Sequence, residues 1–129
     1  IYPWAGIPRY TEIAKGGVLF LPYRLIEPKA IEVFDDLHAE NLLRDLPMAD
    51  FATRAGYFLA RINAMHPFRE GNGRTQRILL DQLAELSGFA FAWSAISGEK
   101  MAMACRAARQ HEEDFNKLSH LLRLHIMLI

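Results

Sequence analysis

The stretch from Phe51 to Arg77 reads FATRAGYFLARINAMHPFREGNGRTQR. Its first half carries the cleanest period in the chain. Phe51, Ala55, Phe58, Ile62 and Met65 step by four, three, four and three residues, which lines one face of an α-helix. Leu46-Pro47 breaks the pattern before it, and Asp50 reads as the N-cap. Pro67 disfavours helical geometry in the residue before it, so the helix is expected to stop at Met65 or His66. A loop from Pro67 to about Asn72 then feeds a second helix, from about Gly73 to Leu86, which Ser87-Gly88 ends.

Working outward, the region up to about Pro28 has no helical period. Tyr10 to Ala14 and Val18 to Tyr23 are short β-favouring runs separated by Lys15-Gly16-Gly17, and Gly-Gly is a hairpin turn signal. From Glu27-Pro28 a helix is predicted, with Ile31, Phe34, Leu37 and Leu42 on its apolar face. Phe89 to Ala95 reads as an aromatic connector. Ser97 is expected to cap a helix reaching Gln110, and Glu112 to Met127 to form the last one. Strands are confined to one hairpin, so the class is all-α, a helical bundle with a small β-hairpin.

Composition narrows the function. The chain has 129 residues, 51% apolar and 23% charged, which suits one globular domain over residues 1–129. Fifteen basic and fifteen acidic residues cancel, so no global field draws in nucleic acid or an anionic membrane. Neither is expected as a partner. The single cysteine, Cys105, forbids an internal disulfide framework and reads as a small core residue. No apolar run approaches a membrane span, and the opening Ile1-Tyr2-Pro3-Trp4 reads as the middle of a protein.

The chemistry concentrates between His66 and Arg77. Gly71-Asn72-Gly73 stands before a helix, whose first N–H groups lack intrahelical partners and whose dipole is positive there. Glycine lets the backbone approach a ligand closely. Arg74 and Arg77 share a face in the first turns, where a cation opposes the dipole unless an anion lies in front. Two guanidinium forks beside free N–H groups suit a phosphate chain. Glu70 would repel polyphosphate without a divalent cation between them, so it reads as a Mg²⁺ ligand. His66 can take a proton from a hydroxyl, and Phe68 is expected to pin the loop to the core. Taken singly, each residue has a structural explanation; His66, Glu70, Gly71, Asn72, Gly73, Arg74 and Arg77 within twelve positions favour a phosphate site.

These residues fill every fixed position of H-P-F-x-[D/E]-G-N-G-R-x-x-R, and the sequence resembles the Fic family. Further similarity runs through Tyr2 to Gly6, Arg9 to Ile13, Lys15-Gly16-Gly17 with Phe20 and Pro22, and Glu27-Pro28. The resemblance implies a protein adenylyltransferase that moves AMP from ATP to a Ser, Thr or Tyr hydroxyl of a target protein and releases pyrophosphate. It implies His66 as general base, Glu70 on Mg²⁺, and Asn72 with the Gly71 and Gly73 backbone on the phosphates nearest the reaction. Arg74 would hold the β- and γ-phosphates and Arg77 the γ-phosphate. Lys15, Gly16, Gly17, Val18, Leu19 and Phe20 would form a flap that clamps the target by strand addition. Many such relatives are bacterial toxins or effectors, which implies a cytoplasmic protein or one secreted into a host cell.

Family members are often restrained by a helix carrying [S/T]-x-x-x-E-[G/N]. Glu40-Asn41 has Asp36 rather than Ser or Thr four residues earlier, so the restraint is expected on a removed segment or a small antitoxin chain. Transfer of UMP, removal of AMP, and a silent partner-binding module are the alternatives. His111-Glu112 lacks the second histidine of a zinc motif, with Phe115 in its place. His120 and His125 read as satisfied or solvent-facing. Tyr2, Trp4, Phe89, Phe91 and Trp93 can stack on a base, with core packing the default.

Overall fold

The computed structural model describes residues 7–15, 17–110 and 114–129. Tyr2 and Trp4, Gly16 at the hairpin tip, and His111 to Glu113 with the expected start of the last helix lie outside them. A two-stranded hairpin, β1 (Ala14–Lys15) and β2 (Val18–Leu19), opens the described chain. It is shorter than expected and pairs Ala14 with Leu19 and Lys15 with Val18. Four helices follow: α1 (Ile26–Ala39), α2 (Met48–Met65), α3 (Asn72–Leu86) and α4 (Gly98–Gln110). A fifth, α5 (Asn116–Leu124), completes the bundle. The all-α class holds.

Helix α2 is the axis, packed against α1, α3, α4 and α5. The five residues of its predicted stripe are all buried. Phe51 and Phe58 are wholly enclosed, and burying each contributes about 1.5–3 kcal/mol. The helix starts at Met48 after Pro47, so Asp50 sits in the first turn and does not cap it. Ser97 does cap α4, accepting the Lys100 N–H at 3.1 Å.

Three further expectations change. In α1 the buried positions are Ile26, Val33 and Leu37, while Ile31 and Phe34 are exposed. The helix begins two residues before Pro28, and what packs on it selects the buried face. The last helix stops at Leu124, not Met127. A second small sheet also forms: β3 (Phe89–Phe91) pairs antiparallel with β4 (Ile126–Leu128), Phe89 opposite Leu128. The aromatic connector is thus half strand, and strands are not confined to the flap hairpin. Its Phe89 and Phe91 are buried against Phe51.

Helices α2 and α5 touch at Gly56. A Cβ there would lie 2.3 Å from Ser119 Oγ, 2.7 Å from its Cα and 2.8 Å from its N. Backbone cannot yield as a flexible side chain does. Gly56→Ala is therefore expected to destabilise the fold by about 1–2 kcal/mol, overpacking outweighing the gain in helix propensity. Urea unfolding checks this, with the midpoint falling at unchanged slope; a midpoint at or above wild type would remove the close approach.

Candidate active site

The site begins with how α2 ends. His66 takes the left-handed conformation, φ 43° and ψ 66°, and its N–H still reaches Ile62 O at 3.0 Å. A helix leaves its last carbonyls without intrahelical partners. Here the chain's opening segment supplies the donors. Leu21 N–H reaches Ala64 O at 2.9 Å and Arg9 N–H reaches Pro67 O at 2.8 Å. The Arg9 side chain donates to His66 O at 2.7 Å, Met65 O at 3.1 Å, Thr11 O at 2.8 Å and Leu21 O. A cation at a helix C-terminus also complements the dipole. Arg9 is 3% exposed, and burial lowers its pKa against the opposing pull of Glu12.

The loop is clasped by Asn72. Its Oδ1 accepts the Phe68 N–H at 2.9 Å and its Nδ2 donates to Phe68 O at 2.7 Å. Asn72 is 5% exposed, whereas Phe68 is half-buried and absent from the side chains packed on the core. The pin is thus Asn72 and not the expected Phe68, because a loop closed on itself by an amide needs no apolar anchor. Gly71, at φ 81°, stands at the start of α3, where no side chain caps the helix. Its carbonyl takes the Thr75 N–H at 2.9 Å.

A cavity of about 820 Å³ opens in front of this turn. His66, Glu70, Gly71, Asn72, Gly73 and Arg77 all line it, so six of the seven motif residues share one space. Arg74 is exposed and lies outside the lining. Lys15, Arg69, Arg77, Arg106 and Arg109 face Glu70 and Glu99 there, so positive charge prevails locally although the chain is neutral. Among the described residues no three metal-binding side chains meet. Helices α3 and α2 join in the cavity wall, where Gln76 Nε2 donates to Asn63 Oδ1 at 3.4 Å.

The His66 imidazole lies flat on Phe20, with centroids 3.8 Å apart and planes at 15°. Burial pushes its pKa down to about 4, and the charges of Arg109, Arg9 and Lys15 add to that; the Asn63 backbone pulls the other way. Its buried Nδ1 makes no hydrogen bond of full geometry among the described residues.

The flap residues separate. Lys15 and Leu19 are exposed, Gly17 turns at φ 77°, and Phe20 is 6% exposed and points inward. Gly16 and the Val18 side chain lie outside the description. Trp93 lines the cavity and donates to Asp81 Oδ1 at 2.7 Å. Cys105 packs on the core and also lines the cavity. His120 is exposed, and His125 Nδ1 lies 2.8 Å from Leu121 O. Site reasoning missed the parts played by Arg9, Arg69, Arg106 and Arg109. Arg9 stood in the family-like approach segment and Arg69 at a variable position of the motif; nothing in the sequence marked Arg106 or Arg109.

Comparison with known proteins agrees with this arrangement. The profile of the Fic/DOC family matches residues 2–84. The protein adenylyltransferase VbhT of Bartonella schoenbuchensis is 40% identical over 104 residues, 81% of this chain and 22% of that protein. The Escherichia coli K12 protein Fic is 36% identical over 99 residues, 77% of this chain and 50% of that protein. The chain thus spans half or less of these relatives. Among solved structures, the N-terminal Fic domain of a VirB-translocated effector from Bartonella quintana, with bound ADP, superposes with a TM-score of 0.89 at 27% identity. That match covers 98% of this chain and 66% of the other. With the signature complete and its loop folded around one cavity, the chain belongs to the Fic/DOC family.

Proposed function

We propose that residues 1–129 form the catalytic core of a protein adenylyltransferase, which transfers AMP from ATP to a Ser, Thr or Tyr hydroxyl of a target protein. The carrying observation is the cavity: five cationic side chains against two carboxylates, an uncapped helix start and an imidazole held neutral. His66 Nδ1 is buried, so Nε2 takes the hydroxyl proton. The hydroxyl oxygen then bonds to the α-phosphorus while the bond to the bridging oxygen of the β-phosphate breaks, and pyrophosphate leaves. Arg77 and the Gly71–Gly73 backbone hold phosphate oxygens as charge develops. Arg69 borders the same space. Arg74, outside the lining, acts from the rim. Asn72 contributes by shaping the loop.

Glu70 is the motif carboxylate in the cavity, and no cluster of three ligands competes with it among the described residues. One carboxylate completed by phosphates and water fits Mg²⁺, which would neutralise polyphosphate charge when bound. The exposed β1–β2 hairpin suits capture of a target strand by backbone pairing. A small antitoxin or inhibitory helix is the proposed regulator. No helix among the described residues is long and apolar enough to cross a membrane. The neutral chain has no field for nucleic acid. The likeness to a VirB-translocated effector of Bartonella quintana supports action in the cytoplasm of the producer or of a host cell that receives the protein.

The test compares ATP labelled at the α- or the γ-phosphate, incubated with the chain and candidate target proteins. Label from the α-position is expected on a target, and none from the γ-position. Label arriving from the γ-position would make it a kinase and overturn AMP transfer.

A further inference from the structure

We propose that Arg109 is a positioning residue that holds the flap against α4 and, through Phe20, sets the ring plane of His66. The inference rests on the reading of His66 as the base. A catalytic imidazole is usually oriented by a hydrogen bond from its second nitrogen. Here Nδ1 has no such bond of full geometry among the described residues. The Asn63 backbone approaches the ring, and the ring face is fixed by its stack on Phe20. Phe20 is in turn shared: the Arg109 guanidinium carbon lies 4.4 Å from its ring centroid.

Arg109 also reaches the flap. Its Nη2 donates to Lys15 O on β1 at 3.0 Å. Lys15 pairs with Val18, and Phe20 N–H returns to Ile13 O at 3.0 Å, so the tether acts on both arms of the hairpin. Nε of Arg109 is buried without a hydrogen-bond partner among the described residues. Among the described residues the contacts of Arg109 include a flap carbonyl and an aromatic face, which a planar cation serves and an ammonium serves poorly. A hairpin of two-residue strands is marginal alone. Linking it to α4 by the side chain that also presses Phe20 couples flap position to base orientation.

The test uses the labelled whole chain and reads the His66 ring protons by NMR. Stacking on Phe20 displaces them upfield of those of exposed His38 and His120. Phe20→Leu calibrates the displacement by abolishing it. Arg109→Gln and Arg109→Lys are each expected to lose most of it, with His38 and His120 unmoved. Amide exchange of the Ala14–Leu19 pairs should quicken by roughly tenfold in both. If the Gln variant fails to fold, the Lys variant, which keeps the charge and stem, decides. Wild-type ring shifts and flap protection in a folded Arg109 variant overturn the proposal. Neither reading depends on AMP transfer. A displaced ring in a protein that transfers nothing would strike the proposed function and spare the stack.

Discussion

His66→Ala is expected to lower the rate of AMP transfer by about 10²–10⁴-fold while nucleotide affinity stays within about twofold, the signature of a lost general base. In the proposed mechanism the imidazole meets the hydroxyl proton and not the polyphosphate, so the loss should fall on kcat. Alanine at φ 43° adds strain of roughly 1–2 kcal/mol that could blur the result. His66→Asn is the matching control, since asparagine tolerates the left-handed region and cannot act as a base. Both variants should fail alike. Transfer within about tenfold of wild type in either would remove His66 from the proton step.

The same residue has a pH signature. Burial holds its pKa near about 4, so the ring stays neutral, the form that accepts a proton, throughout the neutral range. The unfolded chain binds that proton near 6.5, while the native state waits until about 4. This burial therefore leaves stability intact above 6.5 and erodes it as pH falls from 6.5 toward 4. Titrating the His66 ring protons reads the value directly, clear of the ionisation of ATP itself. A midpoint near 6.5 would contradict the buried, stacked ring.

What the sequence disclosed follows from the range over which each signal acts. The α2 stripe, the stop before Pro67 and the open N-terminus of α3 depend on residues within a turn or two, and they stand where periodicity and proline placed them. The β3–β4 pair joins residues nearly forty positions apart, which no local period encodes. In α1 the helix starts only two residues before Pro28, yet its buried face runs through Ile26, Val33 and Leu37 and leaves Ile31 and Phe34 outside, a choice made by what packs on the helix and not by its own spacing. The motif likewise named its own residues but not their neighbours. Arg109 is brought beside His66 by the crossing of α4 over the flap, a tertiary event. Asn72 shows the limit of assigning one role per residue. Its amide closes the loop on Phe68, so the part in holding phosphate proposed for it would be exerted through loop shape.

Arg9→Met is expected to destabilise the protein by about 3 kcal/mol and lower its midpoint by roughly 10 °C, because it removes donors without removing acceptors. The carbonyls of Met65, His66, Thr11 and Leu21 all take bonds from this guanidinium. Methionine restores most of the volume but no donor, and the last carbonyls of α2 cannot turn back into their own helix. The Arg9–Glu12 pair, 3.8 Å apart with Glu12 half-exposed, contributes little by comparison. Arg9→Lys should recover only part, since one ammonium cannot span the directions of a guanidinium fork. The second effect is on chemistry. Arg9 holds the His66 carbonyl, so its loss loosens the loop that presents the base. Below the variant's melting range, transfer should still be slower than wild type, whereas Gly56→Ala, which loosens α2 against α5 far from the loop, should leave it unchanged. Thermal and urea unfolding with paired rate measurements checks both claims. A loss under about 1 kcal/mol would show that the α2 carbonyls find other partners, and the N-terminal segment would then be a passive cover and not the cap of the catalytic turn.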